Sequence, residues 1–228
     1  GSATDTGDAD GDEIATAEVP ALNREDWEKI LETFRGDIEQ VPPMYSALKK
    51  GGKRLYELAR KGEVVEREPR RIRIHDISLL EASGKRLVLR VHCSKGTYVR
   101  VLVEDIARAA GTVAYTASLH RESVGDFRAE DMVDLSNADA LREHLLPADA
   151  ALAGWPEQQI DARAEERFLC GQAVALGGDA AETGRVRVYG GGEQFLGVGE
   201  RLGNGLLVPR RIFRVADDPA SRGQGEKP

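Results

Sequence analysis

Leu89-Arg90-Val91-His92-Cys93-Ser94-Lys95-Gly96-Thr97-Tyr98-Val99-Arg100-Val101-Leu102 runs from an alternating segment through a Lys-Gly turn into a helical pattern. The period-two stretch over Arg86–Cys93 predicts a strand. Val99, Leu102, Val103, Ile106 and Ala110 share one helical face and Gly111 closes it, which predicts a helix over about 98–110 with Thr97 as its cap. The corner between them carries one aromatic ring at Tyr98, two cations at Lys95 and Arg100, and free backbone N–H groups. A nucleotide turned out of its stack needs a flat π-face and positive charge around its phosphates. These residue types point to RNA recognition.

Working outward, Arg70–Ile77 also alternates and joins Arg86–Cys93 through an Ala82-Ser83-Gly84-Lys85 turn, so a two-stranded unit precedes the corner. Residues 41–62, VPPMYSALKKGGKRLYELARKG, bracket Tyr45 and Tyr56 with Lys and Arg. Pro42-Pro43 and Gly51-Gly52 break the pattern, and a short basic helix is predicted over about 53–60. Basic residues interleaved with aromatics fit a surface segment that clamps RNA. Asn23 is placed to cap an amphipathic helix over 24–35 that buries Trp27, Ile30, Leu31 and Phe34. Residues 115–127 read as a further strand carrying Leu119 and Arg121, and a helix around 135–145 ends the first domain. The early Thr4–Gly11 run fails as a calcium loop: with Gly11 as the turn glycine, Thr6 and Ala17 fall where ligands belong. A loop is predicted instead.

Pro147–Pro156 is an Ala/Pro/Gly linker. A short helix near 163–170 and three Gly-punctuated strands (184–189, 194–200 and 206–213) follow, suggesting a small β-barrel over 151–216. The polar tail, 217–228, is expected to be disordered.

The net charge is −7, yet residues 41–100 hold 15 Lys/Arg against 6 Asp/Glu and the remainder 17 against 33. A polyanion responds to local potential within roughly 8–10 Å, so the basic block serves an RNA partner despite the acidic total. Cys93 and Cys170 read as isolated buried thiols, and four scattered His give no metal spacing. With no apolar run long enough to span a bilayer and no leader pattern at Gly1, a cytoplasmic protein without membrane attachment is expected.

Four stretches in order, TDTGDADG at 4–11, the 41–62 segment, HCSKGTYVR at 92–100 and SLHRESVG at 118–125, resemble the bacterial tRNA pseudouridine synthase B family. The resemblance implies an α+β catalytic domain over 1–150, built on a mixed, mostly antiparallel sheet with packed helices. It also implies a PUA-like RNA-binding barrel at the C-terminus, with no cofactor and no metal. It implies isomerisation of a T-loop uridine of tRNA, by a protein that is a monomer when intact. By the same resemblance Tyr98 packs on the target base, Arg100 pairs with the catalytic carboxylate and Leu119 lines the uracil pocket. Lys95 then touches the RNA backbone, and Tyr45, Lys49, Lys53, Arg54, Arg60 and Arg210 are its further contacts. The family's nucleophilic aspartate lies in a G-x-L-D-P-x-A-T-G segment that has no counterpart in these residues. The expectation is therefore a fragment of the catalytic domain, inactive alone, with a separate N-terminal fragment among its candidate partners. A non-catalytic tRNA-folding module is the alternative.

Overall fold

The computed structural model describes residues 1–177 and 182–213, so the expected tail at 217–228 lies outside the described residues. The chain divides into two compact units, Gly1–His120 and Arg121–Pro228. The division falls some way before the 150/151 boundary read from the Ala/Pro/Gly composition.

In the first unit, β1 (Ser2–Thr4) and β2 (Glu13–Thr16) form an antiparallel pair around the Thr4–Gly11 loop. Helix α1 (Arg24–Glu32) starts at Asn23, whose side chain accepts from the Asp26 N–H while Asp26 accepts from the Asn23 N–H. That reciprocal cap satisfies two otherwise orphaned donors. The helix stops three residues short of the predicted end, because Thr33, Phe34 and Arg35 close in tighter i−3 turns.

Strand β3 (Gly36–Gln40) pairs with β6 (Arg70–Ser83), which pairs with β7 (Arg86–Cys93), in one antiparallel three-stranded sheet. Between β3 and β6 the chain makes a two-residue hairpin, β4 (Lys49–Lys50) and β5 (Lys53–Arg54), and then α2 (Leu55–Ala59). A register shift between Ile74 and Asp76 breaks the strict alternation of β6. Ile72 and Ile74 face the core before it, and Ile77 and Leu79 face the core after it. These four pack with Trp27 and Leu31 of α1 and with Leu102 and Ile106 of α3 (Val99–Ala109). Each such side chain contributes about 1.5–3 kcal/mol by leaving water. The core therefore fixes α3, and with it the residues at its start, against the sheet.

The strand predicted over 115–127 forms only toward its C-terminal end, in the second unit, and there as two short strands. Gly125-Asp126, with Gly125 at φ +58°, turns the chain between β8 (Ser123–Val124) and β9 (Phe127–Arg128). Helix α4 (Ala138–Glu143) follows, shorter than expected. Then come β10 (Glu157–Gln159), α5 (Ala162–Leu169, capped by Asp161), β11 (Val174–Ala175), β12 (Gly184–Tyr189), β13 (Phe195–Arg201) and β14 (Leu206–Ile212). The sheet order is β10-β12-β13-β14-β11, with only β10 parallel to its neighbour. Among the described residues these strands form one five-stranded sheet, the part of the expected small β-barrel that they show. Phe168, Val174, Val186, Val188, Leu196 and Leu207 form its core.

The region read as a linker is tied down. Asp149 and Arg187 bond at 3.1 Å with side chains only 13% and 12% exposed, and the Tyr189 hydroxyl donates to the same carboxylate. Arg187 also donates to the Trp155 and Ala153 carbonyls and to Glu157, so nearly all of its fork is used. Cys170, expected to be buried, is exposed where α5 ends, and Cys93 is partly covered.

Candidate active-site corner and nucleic-acid interface

The turn after β7 is built by local bonds. Arg73 N–H donates to the Ser94 hydroxyl and Ser94 N–H returns to the Arg73 carbonyl. The Thr97 hydroxyl donates to the Ser94 carbonyl at 2.9 Å, which ties Thr97 into the turn, and the helix begins one residue later than predicted. The capping position falls to Tyr98, extended at φ −97°, whose own side chain makes no cap bond. Gly96 takes φ +86° in the bend, a conformation that favours glycine.

Gln40, at the end of β3 and 2% exposed, takes over from the missing cap. Its carboxamide oxygen accepts from the Tyr98 N–H at 3.1 Å, and its amide donates back to the Tyr98 carbonyl at 3.4 Å. Nothing in the sequence pattern marks Gln40. A polar residue closing a strand ahead of Pro42-Pro43 reads as an ordinary loop entry.

Arg100, in the first turn of α3, draws three segments together. Its Nη1 donates to Asp8 Oδ2 at 2.6 Å and to the Thr6 carbonyl at 3.1 Å, and its Nη2 to the Tyr45 carbonyl at 2.9 Å. Among the described residues the carboxylate bonded to Arg100 is Asp8, a pairing distinct from the one with a catalytic carboxylate outside the chain that the resemblance implies. The signal was present in the acidic 4–11 loop, but pairing across 92 residues of chain leaves no local trace. The guanidinium has five N–H donors. Nε and one Nη2 hydrogen take no partner among the described residues, and the side chain is 27% exposed.

The Thr6 hydroxyl, donating to Asp8 at 2.8 Å, is the first cause holding that carboxyl below its usual range; the Asp10 N–H and Arg100 add to it, against a smaller opposing effect of burial. One turn beyond Arg100, burial pushes the Glu104 carboxyl up, with Asp105 adding to it. Gly7, at φ +72°, lies against this pair: a Cβ there would overlap the Glu104 carboxylate and touch the Arg100 Cβ. The Gly7 carbonyl accepts from Thr116 N–H at 2.9 Å, and Asp8 bridges to Thr116.

The remaining candidates separate. Lys95 is exposed at the turn, and Lys49 and Lys53 are exposed on the β4–β5 hairpin. Arg54 and Arg60 lie over the Tyr56 ring, 5.8 and 5.5 Å from its centre, and Arg54 also donates to the Tyr56 hydroxyl at 2.9 Å. The Tyr45 hydroxyl donates to Asp5 at 3.2 Å, so the 4–11 loop holds Tyr45 by both its ring and, through Arg100, its carbonyl. Leu119 is 61% exposed in an irregular segment rather than in a strand. Arg210 donates to Glu200 at 2.7 Å in the second unit. Among the described residues no group of three or more His, Cys, Asp or Glu is placed to hold a metal. No described helix is long and apolar enough to cross a membrane.

Solved structures share this fold. A Cbf5-Nop10-Gar1 complex matches with a TM-score of 0.61 at 19% identity, covering 86% of this chain and 64% of that one. An H/ACA RNP bound to a substrate RNA containing 2'-deoxyuridine matches at 0.60 and 16%, covering 87% of this chain and 64% of that one. The likeness is one of fold, a mixed α+β architecture, with this chain covering 64% of each of those two solved chains. Residues 1–99 match the TruB family pseudouridylate synthase N-terminal domain, and residues 156–213 match the pseudouridine synthase II TruB C-terminal family. The tRNA pseudouridine synthase B of Pseudomonas putida strain GB-1 is 45% identical over 223 residues, 94% of this chain and 72% of that protein. That of Dechloromonas aromatica strain RCB is 46% identical over 222 residues, 95% of this chain and 73% of that protein. The chain belongs to the TruB family of pseudouridine synthases, which are isomerases.

Proposed function

We propose that this chain contributes one wall of a site that converts a T-loop uridine of tRNA to pseudouridine. The observation that carries the reading is the convergence on Arg100, which ties the Asp8 loop and the start of the basic 41–62 segment to the turn bearing Tyr98. In the reaction the N1–C1′ bond breaks, the uracil turns, C5–C1′ forms, the C5 proton leaves to solvent and N1 takes up a proton, so the product is an isomer of the substrate. Tyr98 offers the detached base a flat surface; stacking of this kind is worth about 1–3 kcal/mol. Arg100 stays charged at any working pH and keeps nearby carboxylates ionised in a closing pocket. Its two uncommitted N–H donors suit a second carboxylate beside Asp8. We assign that carboxylate to an aspartate outside these 228 residues, since no G-x-L-D-P-x-A-T-G segment occurs within them.

We assign phosphate contacts to Lys49, Lys53 and Lys95 and a wall of the uracil pocket to Leu119; the exposure of all four side chains supports this reading. The test is tritium release from a T-arm hairpin carrying 5-tritiated uridine. This chain is expected to bind the hairpin without releasing tritium, and to release it once joined to the preceding segment of the Pseudomonas putida relative. Release by the chain alone would move the nucleophile into these residues. Absence of hairpin binding would overturn the reading, and binding with no release in either form would favour a folding module without chemistry.

A further inference from the structure

We propose that Gln40 is the positioning residue for Tyr98, an inference that rests on the reading of Tyr98 as the base platform. A helix that starts on a tyrosine has no side chain of its own to hold the entry geometry. Here a buried carboxamide from another strand holds it from both sides: one bond fixes the Tyr98 N–H, the other its carbonyl. A carboxamide presents a donor and an acceptor on two separate atoms in one plane, whereas a hydroxyl has a single oxygen for both and an ionised carboxylate only accepts.

The position of Gln40 in the chain gives the contact a consequence. It ends β3, opposite Arg70, and the next residues lead through Pro42-Pro43 to Tyr45. Tyr45 in turn gives its carbonyl to Arg100, two residues past Tyr98. The root of the basic segment is therefore fastened at two points to the first turn of α3, once through each residue of the Tyr98/Arg100 pair. Gln40 sets where the ring stands relative to the segment that carries Lys49 and Lys53. A displaced ring loses stacking even when every RNA contact side chain remains.

The experiment measures hairpin affinity of this chain carrying Gln40→Met, Gln40→Glu, Tyr98→Ala and Gln40→Met with Tyr98→Ala. Methionine keeps the length and packing of glutamine without its bonds, so the core stays filled. Tyr98→Ala is expected to weaken binding roughly fivefold or more, and Gln40→Met roughly three- to tenfold. The double variant should bind no more weakly than Tyr98→Ala, because Gln40 acts through the ring. Gln40→Glu supplies the conservative rescue: weak at pH 7.5, recovering toward wild type near pH 5, where the protonated acid again donates and accepts. Arg70 stands opposite Gln40 in the β3–β6 register, Arg100 follows Tyr98 by two residues on α3, and Glu104, whose carboxyl burial pushes up, lies one turn further along that helix; wild type measured at both values removes the pH effect of these other groups.

Full additivity in the double variant, or a Gln40→Glu affinity that follows wild type at both pH values, overturns the proposal. If Tyr98→Ala weakens binding while Gln40→Met does not, the positioning role alone fails. If Tyr98→Ala has no effect, the platform reading fails and the positioning role falls with it.

Discussion

Arg100 reaches back 92 residues to bond the Asp8 carboxylate at 2.6 Å, and the same guanidinium closes on the Thr6 and Tyr45 carbonyls. One side chain thereby fixes two loops that have no regular secondary structure of their own. Its replacement by lysine removes the fork, because an ammonium cannot meet three acceptors that a planar group meets in fixed directions. With the pair about a third exposed, the ion pair itself adds little to stability, about 1 kcal/mol or less. Arg100→Lys is expected to lower stability by about 1–2 kcal/mol through the lost carbonyl bonds. Hydrogen exchange at the Thr116 amide, which hangs on Gly7, should speed up while exchange at Leu102 in the helix stays slow. Equal exchange in variant and wild type would show that the loop holds without Arg100.

The pH response has two limbs. Asp8 and Asp149 both have folded pKa values below the usual carboxylate range, held there first by the Thr6 and Tyr189 hydroxyls respectively. Their contribution is present above the unfolded value, about 3.9, and is lost as pH falls through the folded value. Tyr189 runs the other way. Burial, then the bond to Asp149, pushes it up to about 12, so its contribution is complete below the unfolded value of about 10 and lost as pH rises toward 12. In Tyr189→Phe the alkaline loss between those values should shrink, and phenolate absorbance should lose its highest-titrating component. An unchanged alkaline titration would place that component on another tyrosine.

Glycines at 7 and 52 both have positive φ, +72° and +84°, but their surroundings differ. At Gly52 a Cβ meets open space, so Gly52→Ala pays only for backbone conformation, about 1 kcal/mol. At Gly7 it collides with the Glu104 carboxylate beside Arg100. Gly7→Ala should therefore destabilise the first unit by more than Gly52→Ala, and Glu104→Ala should restore part of the difference. Thermal unfolding of the three variants decides it; equal shifts for the two glycines would show that Glu104 swings aside at no cost.

Much of the frame follows from local pattern. The alternation of β6 and β7, the Asn23 cap and the three Gly-bounded strands of the second unit each depend on residues within a few positions of one another. The departures share a different cause. Thr97 carries the chemistry of a cap, yet its hydroxyl is bonded back into the turn at Ser94 and the helix starts after Tyr98 instead. Asp149 lies in a stretch composed like a linker, but Arg187 and Tyr189 arrive from a strand far along the chain. Gln40 and Asp8 are the same case at the candidate site. Their partners are set by tertiary packing, and a side chain's residue type does not record which distant backbone it will meet. The Gly125-Asp126 turn differs, since its residues were legible as a turn and only their setting among apolar neighbours suggested a strand.

The basic segment gives the last test, because charge and stacking respond differently to salt. Each phosphate contact by a lysine releases counterions, and losing one changes the slope of log affinity against log salt by roughly 0.7–0.9. Lys53 is exposed on the β4–β5 hairpin, so Lys53→Ala should flatten the slope by about that amount. Tyr98→Ala should leave the slope alone while costing about 1–3 kcal/mol of hairpin binding. Arg54 is committed to the Tyr56 ring and hydroxyl. Arg54→Ala should therefore change the slope less than Lys53→Ala, while loosening α2. Arg210, engaged with Glu200 in the second unit, should likewise change the slope less than Lys53. If Lys53→Ala and Arg210→Ala exchange places in this order, the phosphate track runs over the second unit and the 41–62 segment does not close on the RNA.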